Sequence, residues 1–455
     1  MAKLLLINPL FTGCVPIYPL SIVHAAAACR DIADVRCLDM NLLDEPFIKV
    51  GKELNDYKPD FVGIGLRNLE TTDSFVSYLP PFWSLISLIK KVLPKCKVIA
   101  GGSGFSIMPK AIMESHKGID FGNDGHAETI IPLLTGKSAT DGIWVRDGEK
   151  IYEPANEEKQ KKASFRWYPY ELMEKLVPVE DYWRVNPEYG IGIQTKRGCA
   201  RLCSYCVYPE LEGQNLCGRT QSEVLADISF LYQKGVKRFF VSDSVANDSP
   251  EQFKQLCIEI KKMSLPVTWG GWFREDNMSE ETASLAHEAG CDWFSFSPDG
   301  GCKAHLELLR KDLTMEQVKA AANACAKLPV RVLFHFFTNL PTESRQTIYE
   351  TYENMKELHR IFIGRPGFQG VTCKNIRVYP GTHFYKIISE IGGDIPDNLL
   401  LPYFYNPGPY DKVQHIFEGI CTMLLAQARQ NNSNFTDIDN YFSSLIKNNT
   451  PESNK

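Results

Sequence analysis

Short apolar segments alternate with helix-length segments twice along this chain of 455 residues. In the first series, from about residue 3 to residue 134, the alternation predicts a doubly wound, Rossmann-like α/β sheet. Prolines mark most of the helix starts, because the first helical turn needs no amide donor at that position. The predicted strands are 4–8, 35–39, 61–66, 98–101 and 119–122, and the predicted helices begin near Pro19, Pro46, Pro80, Pro109 and His126.

The second series starts near residue 186 and predicts six strands interleaved with helices, the pattern of a partial TIM-like (β/α)6 barrel. Active-site loops of parallel barrels follow the carboxyl ends of the strands, so we expect the catalytic residues there. The predicted strands are 191–195, 238–242, 267–272, 293–297, 331–337 and 375–379, and the predicted helices cover about 221–232, 250–262, 279–289, 315–326 and 344–358.

Between and after these series the sequence predicts less regular segments. Asp147-Gly148 lies between two short apolar runs and predicts a β-hairpin, and the polar stretch 156–163 predicts a solvated linker. A helix is expected over 412–429, and the Asn- and Ser-rich tail from residue 431 is expected to be partly disordered near its end. The predicted parts are the sheet domain 1–140, the hairpin and linker 141–185, the barrel 186–395, and a C-terminal helical region and tail 396–455.

Charge and composition exclude several classes of protein. A net charge of −5 and a pI near 6.1 give no general field that would attract nucleic acid. The first residues lack the features of a signal peptide, and no apolar run has the length of a membrane span. The fourteen cysteines are scattered, mostly in apolar contexts, which favours a reducing cytoplasm over a disulfide framework.

Three of these cysteines, Cys199, Cys203 and Cys206, form a C-x3-C-x2-C triplet directly after the first predicted barrel strand. Iron–sulfur cubanes are held by cysteine thiolates, so three protein ligands leave one iron open to a substrate or cofactor. A structural zinc site needs a fourth ligand, and neither Cys217 nor His287 has a suitable spacing. The spacing and placement therefore favour a cluster over zinc or over three buried apolar side chains.

The triplet resembles the signature of the radical S-adenosylmethionine (SAM) enzymes, in which the open iron binds the amino and carboxylate groups of SAM. The segments 240–244, 293–301, 339–344 and 375–382 are similar to the strand ends of that family. For each carboxylate in them the alternative role is to cap the helix that follows the strand. The resemblance implies a 4Fe–4S cluster on the triplet and SAM contacts from Tyr205, Asp243, Asp299, Glu343 and Tyr379.

Doubly wound sheets bind ligands beyond the carboxyl ends of their strands. The Gly101-Gly102 turn, Pro109 and the segment 125–128 resemble, in order and spacing, the cobalamin-binding domain of cobalamin-dependent radical SAM enzymes. No Asp-x-His-x-x-Gly follows the first strand, so we expect no imidazole on the lower face of cobalt and interpret His24 and His126 as ordinary helix residues. The resemblance implies cobalamin contacts from Leu66, Arg67, Asn68, Gly101, Gly102, Ser103, Gly125 and Glu128.

For function, the resemblance implies that an electron from the cluster cleaves SAM, that the resulting 5′-deoxyadenosyl radical removes hydrogen from a carbon, and that methylcobalamin methylates that carbon. The predicted enzyme is a C-methyltransferase for a small molecule, peptide or lipid, served by an electron donor such as a flavodoxin or ferredoxin. We expect the substrate between the two domains. The aromatic stretches 269–273 and 403–405 are candidate walls, with core packing as their alternative role.

Three alternatives remain open at this point. The first is a cobalamin-binding radical SAM enzyme that rearranges or cyclises its substrate, which would leave the mass of the substrate unchanged. The second is a methylthiotransferase, which would carry a second cluster and about eight irons per chain instead of about four. The third is an iron–sulfur sensor that does not cleave SAM.

Overall fold

The structure is a computed structural model, and it describes residues 1–71, 76–137, 142–154 and 165–451. The predicted linker at 156–163 and the last residues of the predicted tail, 452–455, lie outside the described residues. Within the described residues, no helix combines the length and the apolar character needed to cross a membrane.

The N-terminal domain is built on one sheet of seven strands. These are β1 (Ala2–Asn8), β2 (Ala33–Asp39), β3 (Phe61–Gly65), β4 (Lys97–Gly101), β5 (Phe121–Asn123), β6 (Ile143–Asp147) and β7 (Lys150–Tyr152). Their order is β2-β1-β3-β4-β5-β6-β7; the first five are parallel, and β6 and β7 form the predicted antiparallel hairpin at one edge. The doubly wound fold expected from the sequence is confirmed.

Helices cover both faces of this sheet, which explains why its central strands are apolar throughout. Along β1, Leu5 and Ile7 pack on one face, whereas Leu4 and Leu6 pack on the other. The helices are α1 (Leu20–Cys29), α2 (Pro46–Tyr57), α3 (Leu79–Val92), α4 (Ser103–Ile107), α5 (Pro109–Ser115) and α6 (Ile131–Leu134), with 3-10 turns at Met40–Leu42 and Ala127–Ile130.

The second domain contains a parallel sheet of six strands, as predicted. The strands from residue 191 onward are β8 (Ile191–Ile193), β9 (Lys196–Arg197), β10 (Cys217–Gly218), β11 (Arg238–Val241), β12 (Thr268–Phe273), β13 (Cys291–Asp299), β14 (Arg331–Phe337) and β15 (Phe368–Lys374). The sheet order is β15-β14-β13-β12-β11-β8, and β9 pairs with β10 in a separate two-stranded ribbon. Because β8 and β15 are the two edges of the sheet, the barrel is open.

Helices pack on the outer face of this sheet, where Phe273, Phe294, Phe296, Phe334 and Phe362 form a continuous aromatic layer. The helices are α7 (Tyr170–Met173), α8 (Glu180–Val185), α9 (Tyr208–Glu212), α10 (Gln221–Gln233), α11 (Pro250–Lys262), α12 (Glu280–Glu288), α13 (Lys303–Leu308), α14 (Met315–Ala326), α15 (Arg345–Ile361), α16 (His383–Glu390), α17 (Val413–Arg429) and α18 (Thr436–Asn449), with a 3-10 turn at Glu275–Asn277.

The prediction of the sixth barrel strand was wrong in position. The strand is β15, and the predicted segment 375–379 follows its carboxyl end. Ile376 and Val378 alternate as in a strand, but they are buried in a separate cluster with Phe384 and Tyr405. In the true strand, Gly370 at φ +103° interrupts the apolar pattern at an irregularity in the pairing with β14, which hid the strand from a periodicity argument.

The described part of the C-terminal tail contributes a helix to the barrel domain. Helix α18 lies within it and buries Ile438, Phe442 and Ile446. Phe442 stacks on Tyr352 of α15 with ring centroids 4.0 Å apart, and the Tyr352 hydroxyl donates to Asp439 at 2.6 Å. The tail therefore forms part of the barrel domain up to about residue 450.

Candidate active site

The cysteine triplet lies on a loop that backbone hydrogen bonds hold in place. The Cys199 N–H donates to the Gly213 carbonyl at 3.0 Å, and the Ser204 N–H donates to the Leu309 carbonyl at 2.9 Å. Gly198 has φ +92°, and a Cβ there would lie 2.2 Å from the Asn215 carbonyl oxygen, so the turn into the triplet requires glycine. The loop is thus anchored to two other segments of the barrel rim.

The three thiols lie close enough to interact electrostatically. Burial, together with the charges of Cys203 and Cys199, raises the pKa of Cys206 to about 12, although the backbone of Tyr208 acts in the opposite direction. Burial also raises the pKa of Cys203, with Asp299 and Cys199 acting in the same direction. Three buried thiolates side by side need a cationic partner, which the iron atoms of a cluster supply.

A single metal ion does not fit this arrangement. Among the described residues, no three His, Cys, Asp or Glu side chains converge on a point that one ion could occupy. A cubane makes a different demand, because each cysteine binds a different iron atom and the sulfurs stand farther apart. The donor set and its burial therefore fit a 4Fe–4S cluster and not mononuclear zinc.

Asp299, Lys311 and Tyr205 form a buried polar cluster beside Cys203. The Lys311 ammonium donates to Asp299 Oδ2 at 2.7 Å, and the Tyr205 hydroxyl donates to the same oxygen. Burial alone would lower the pKa of Lys311, but Asp299, Cys203 and Glu275 raise it overall, so the lysine is charged. Asp299 has φ +64° at an irregularity of β13, which turns its side chain towards the cysteine loop.

Asp243 and Glu343 follow strands β11 and β14 on the same rim, and the oxygens of both carboxylates accept bonds from nearby residues. Asp243 accepts from the Thr195 N–H at 2.7 Å and from the Lys196 ammonium at 3.1 Å. Glu343 accepts from the Asn339 N–H at 2.8 Å and from the Thr347 hydroxyl at 2.7 Å. Both carboxylates thus hold the loops that surround the triplet.

Sequence reasoning missed Glu275, which follows β12 on this rim. Its side chain is 3% exposed, and its Oε1 has no hydrogen-bond partner among the described residues. Burial raises its pKa to about 7, although Lys311 and Arg274 lower it. Asp243, Asp299 and Glu343 were identified by resemblance, but their shared placement after predicted strands could have pointed to Glu275, which follows the third barrel strand.

Glu275→Gln is expected to stabilise the cluster-free protein at about pH 8 by up to about 3 kcal/mol. Because the pKa of Glu275 rises from 4.5 to about 7 on folding, the folded protein holds a proton that the unfolded chain has released. The contribution of Glu275 to the free energy of unfolding is therefore fully present below about pH 4.5 and is lost as the pH rises through 7. Glutamine does not ionise, so the variant avoids this loss.

The check is denaturant unfolding of wild type and variant at about pH 5 and about pH 8, with exposed Glu251→Gln as the control. The stabilisation should be small at the lower pH and large at the higher one. A difference of equal size at both values would contradict the argument.

In the N-terminal domain, the loops after β3 and β4 press against each other. The Gly104 N–H donates to the Leu66 carbonyl at 2.9 Å, and the Ser103 hydroxyl donates to the Arg67 carbonyl at 2.6 Å. Gly102 has φ +96°, and a Cβ there would lie 2.6 Å from the Leu66 oxygen. The predicted cobalamin residues Leu66, Arg67, Asn68, Gly101, Gly102 and Ser103 therefore form one backbone-lined surface, here called the cradle.

Gly125 and Glu128 lie beyond β5, the next strand. The Gly125 N–H donates to Asn123 Oδ1 at 3.0 Å, and Gly101 pairs with Asn123 across β4 and β5. Glu128 Oε1 accepts from the Tyr168 hydroxyl at 3.0 Å, and burial together with Glu128 raises the pKa of Tyr168 to about 12. Gly125 therefore adjoins the cradle, whereas Glu128 joins this edge to the segment that leads into the barrel.

Tyr379 lies at the contact between the two domains. Its hydroxyl donates to Glu70 Oε1 at 2.6 Å, and Arg377 Nε donates to the same oxygen at 3.1 Å. All three side chains are largely removed from solvent, and Tyr379 packs against the core of the N-terminal domain. The structure thus gives Tyr379 a role in fixing the barrel against the sheet domain.

Tyr208 connects the cradle with the cysteine loop. Its side chain is 44% exposed at the surface, and the helix α9 that it begins contacts α4. Partial burial together with Glu212, Cys206 and Cys199 raises the pKa of Tyr208 to about 12, whereas Arg67 acts in the opposite direction. Burial lowers the pKa of Arg67, which lies over the Phe11 ring at 5.4 Å and whose Nε has no hydrogen-bond partner among the described residues. A cationic side chain of the cradle and two thiols of the triplet therefore act on the same phenol, and the space between the cradle and the cysteine loop is here called the crevice.

Comparisons with known proteins agree with this geometry. A model of the Radical SAM superfamily matches residues 193–355, and a model of the B12 binding domain matches residues 15–134. The chain belongs to the cobalamin-dependent radical SAM enzymes. The cofactors of this enzyme are a 4Fe–4S cluster, SAM and cobalamin. None of the fourteen cysteines, which all lie in the described part of the chain, forms a disulfide.

Several methyltransferases are similar to this radical SAM enzyme. An uncharacterized methyltransferase of Pyrococcus horikoshii is 23% identical over 90% of this chain and 86% of its own length. Tryptophan 2-C-methyltransferase of Streptomyces laurentii is 24% identical over 68% of this chain and 63% of its own length. The structure of the radical SAM methyltransferase TsrM from Kitasatospora setae, with tryptophan and a SAM analog bound, has a TM-score of 0.74 at 23% identity and covers 86% of this chain and 76% of its own.

Proposed function

We propose that this enzyme transfers a methyl group from cobalamin to a carbon atom of a small molecule. One observation carries the proposal: helix α9, which follows the triplet, contacts α4, which follows the glycine turn of the cradle, and Tyr208 on α9 lies within electrostatic range of both Arg67 and Cys206. A substrate carbon in the crevice can lie near both cofactors. Relatives named as methyltransferases support methyl transfer over rearrangement.

The bound groups would supply the hard chemistry: the cluster with one SAM would generate the radical, and cobalamin would carry a methyl group that a second SAM provides. The chain positions these groups and excludes water. Cys199, Cys203 and Cys206 would hold the cluster, and the cradle would hold cobalamin, with Gly125 beside it. Arg67, a cation without a carboxylate partner among the described ion pairs, would lie against the corrin or an acidic group of the substrate.

The SAM contacts are also proposals. Tyr205 and Asp299 stand beside Cys203 in the buried polar cluster and are our candidates for direct contact with SAM. Asp243 and Glu343 would shape the same pocket by holding its loops, and Tyr379 would fix the wall that the N-terminal domain provides. Glu128 would act in the same indirect way for cobalamin.

We also propose the surroundings of the reaction. Radical formation consumes an electron, so the enzyme would work with a reduced donor such as a flavodoxin or ferredoxin. A cytoplasmic location suits the free thiols. A small-molecule substrate is favoured over a peptide or lipid because tryptophan is the substrate bound to TsrM.

The test uses reconstituted enzyme, a reductant, SAM with a deuterated methyl group, and a metabolite extract from the source organism. Methyl transfer predicts a product heavier than its precursor by about 17 Da, or about 14 Da with unlabelled SAM. A product of unchanged mass would indicate rearrangement, and the absence of SAM turnover with any reductant would indicate a sensor. Each of the last two results would contradict the proposal.

A further inference from the structure

The interior of the open barrel contains an aromatic side chain that the core does not bury. On β12, Trp269 and Phe273 are 1% and 4% exposed and pack outward against the helices. Trp272 points to the opposite face and is 37% exposed, although β12 is a central strand of the sheet. In closed parallel barrels, side chains fill the interior at this height. In this open barrel Trp272 is not covered, so the interior has room for a ligand beside it.

The amino-terminal end of this space is closed by aromatic packing. Trp293 on β13 contacts Phe240 on β11, with ring centroids 6.1 Å apart, and Tyr189, with centroids 5.3 Å apart. The Arg331 guanidinium covers the Trp293 ring at 4.5 Å. These side chains form a floor, so a ligand in the space enters from the carboxyl end or through the open side between β8 and β15.

Polar groups flank Trp272 on both sides. In the parallel register of β11 and β12, Ser242 follows Val241 and stands beside Trp272; its hydroxyl is buried and has no hydrogen-bond partner among the described residues. On the other side, the His335 ring lies 5.0 Å from the Trp272 ring at 47°. The hydroxyl of Thr372 lies 2.6 Å from His335 Nδ1 and fixes the ring.

The carboxyl end of the space leads to the cysteine loop. Phe337, two residues after His335 on β14, packs edge-on against Tyr205 at 4.9 Å. Tyr205 belongs to the buried cluster with Asp299 and lies between Cys203 and Cys206 in a loop of four residues. A ligand on Trp272 would therefore present its upper edge towards the cluster and the crevice.

We infer that the substrate carries a flat aromatic ring beside the carbon that reacts, and that this ring stacks on Trp272 and offers a polar edge to Ser242 and His335. The inference rests on the proposed function and names its substrate class. Tryptophan faces favour offset or edge contact with other rings, and this adds to the gain from burying apolar area. The buried Ser242 hydroxyl favours a ligand that carries a hydrogen-bond donor or acceptor, since an apolar ligand would leave this hydroxyl without a partner.

The test measures binding to the holoenzyme with cluster, cobalamin and SAM in place. The probes are two neutral pairs that differ in saturation of the ring: benzamide with cyclohexanecarboxamide, and 2-naphthol with decahydro-2-naphthol. Equilibrium dialysis gives each dissociation constant. The aromatic member of each pair should bind about tenfold more tightly, and Trp272→Leu should abolish this preference.

Trp83→Leu is the matched control, because Trp83 stacks on His116 in the N-terminal domain and should leave the preference unchanged. Ser242→Ala should weaken the aromatic probes and leave the stacking preference in place. Equal binding of saturated and aromatic members, a preference that survives Trp272→Leu, or no binding of any probe up to its solubility would each overturn the inference. Corrinoid content and SAM turnover of the same samples report on the proposed function separately: if both are intact, such a result removes the aromatic substrate alone.

Discussion

Cys203→Ala is expected to leave the enzyme without its iron–sulfur cluster and without any cleavage of SAM. The triplet offers three thiolates, which leave one iron of a cubane without a protein ligand. With only two thiolates, two irons would lack a protein ligand. Cys203 lies between the other thiols and the Asp299–Lys311 pair, so its loss would also leave Lys311 without one of the negative groups that keep it charged.

The readouts are the iron content, the visible absorbance of the cluster and the formation of 5′-deoxyadenosine. Cys217→Ala is the matched control, since Cys217 lies in the ribbon beside the loop, paired with Arg197, and is not part of the triplet. It should retain both cluster and turnover. A full cluster in Cys203→Ala would show that the ligands have been assigned wrongly.

Gly102→Ala should lower the cobalamin content at least about tenfold while leaving the cluster in place. Its backbone, at φ +96° and ψ 166°, lies in a region that is essentially open to glycine alone. The added methyl would also meet the Leu66 oxygen at 2.6 Å, so the loops after β3 and β4 would separate and the cradle would lose its shape.

Gly136→Ala is the control, and it tests whether an alanine at a positive φ lowers cobalamin binding when the cradle is intact. Gly136 also has a positive φ, +72°, but a Cβ there would meet nothing within 4 Å. This variant should bind cobalamin as the wild type does, as measured by corrinoid absorbance after gel filtration. If Gly102→Ala retained as much cobalamin as Gly136→Ala, the cradle would not be the binding surface.

Much of the fold could be predicted because local patterns and the layered architecture agree. Strands covered by helices on both faces read as continuous apolar runs, as β1 and β3 do, and Pro46 and Pro109 begin helices where expected. The sixth barrel strand could not be found in this way. Whether Ile376 and Val378 join a sheet or a separate cluster depends on side chains outside that segment, Phe384 and Tyr405.

The site could be predicted where its chemistry is local. The spacing of the cysteines and the glycine turn after β4 are visible in short stretches, and in the structure the helices that follow them, α9 and α4, are in contact. The environment of each polar group is not local: Asp243 receives its donors from Thr195 and Lys196, and Tyr379 receives Glu70 from the other domain. The sequence also offered no means of separating Trp272 from Trp269 and Phe273 within the aromatic stretch 269–273. Trp269 and Phe273 are buried, whereas the exposure of Trp272 depends on how far the barrel is open.

The most direct test is the metal and corrinoid content of the full chain, purified without oxygen and reconstituted with iron, sulfide and cobalamin. We expect about four irons and about one corrinoid per chain, and a cluster spectrum that changes when SAM is added. Zinc or no metal on the triplet, about eight irons, or a protein that does not retain cobalamin would contradict the account.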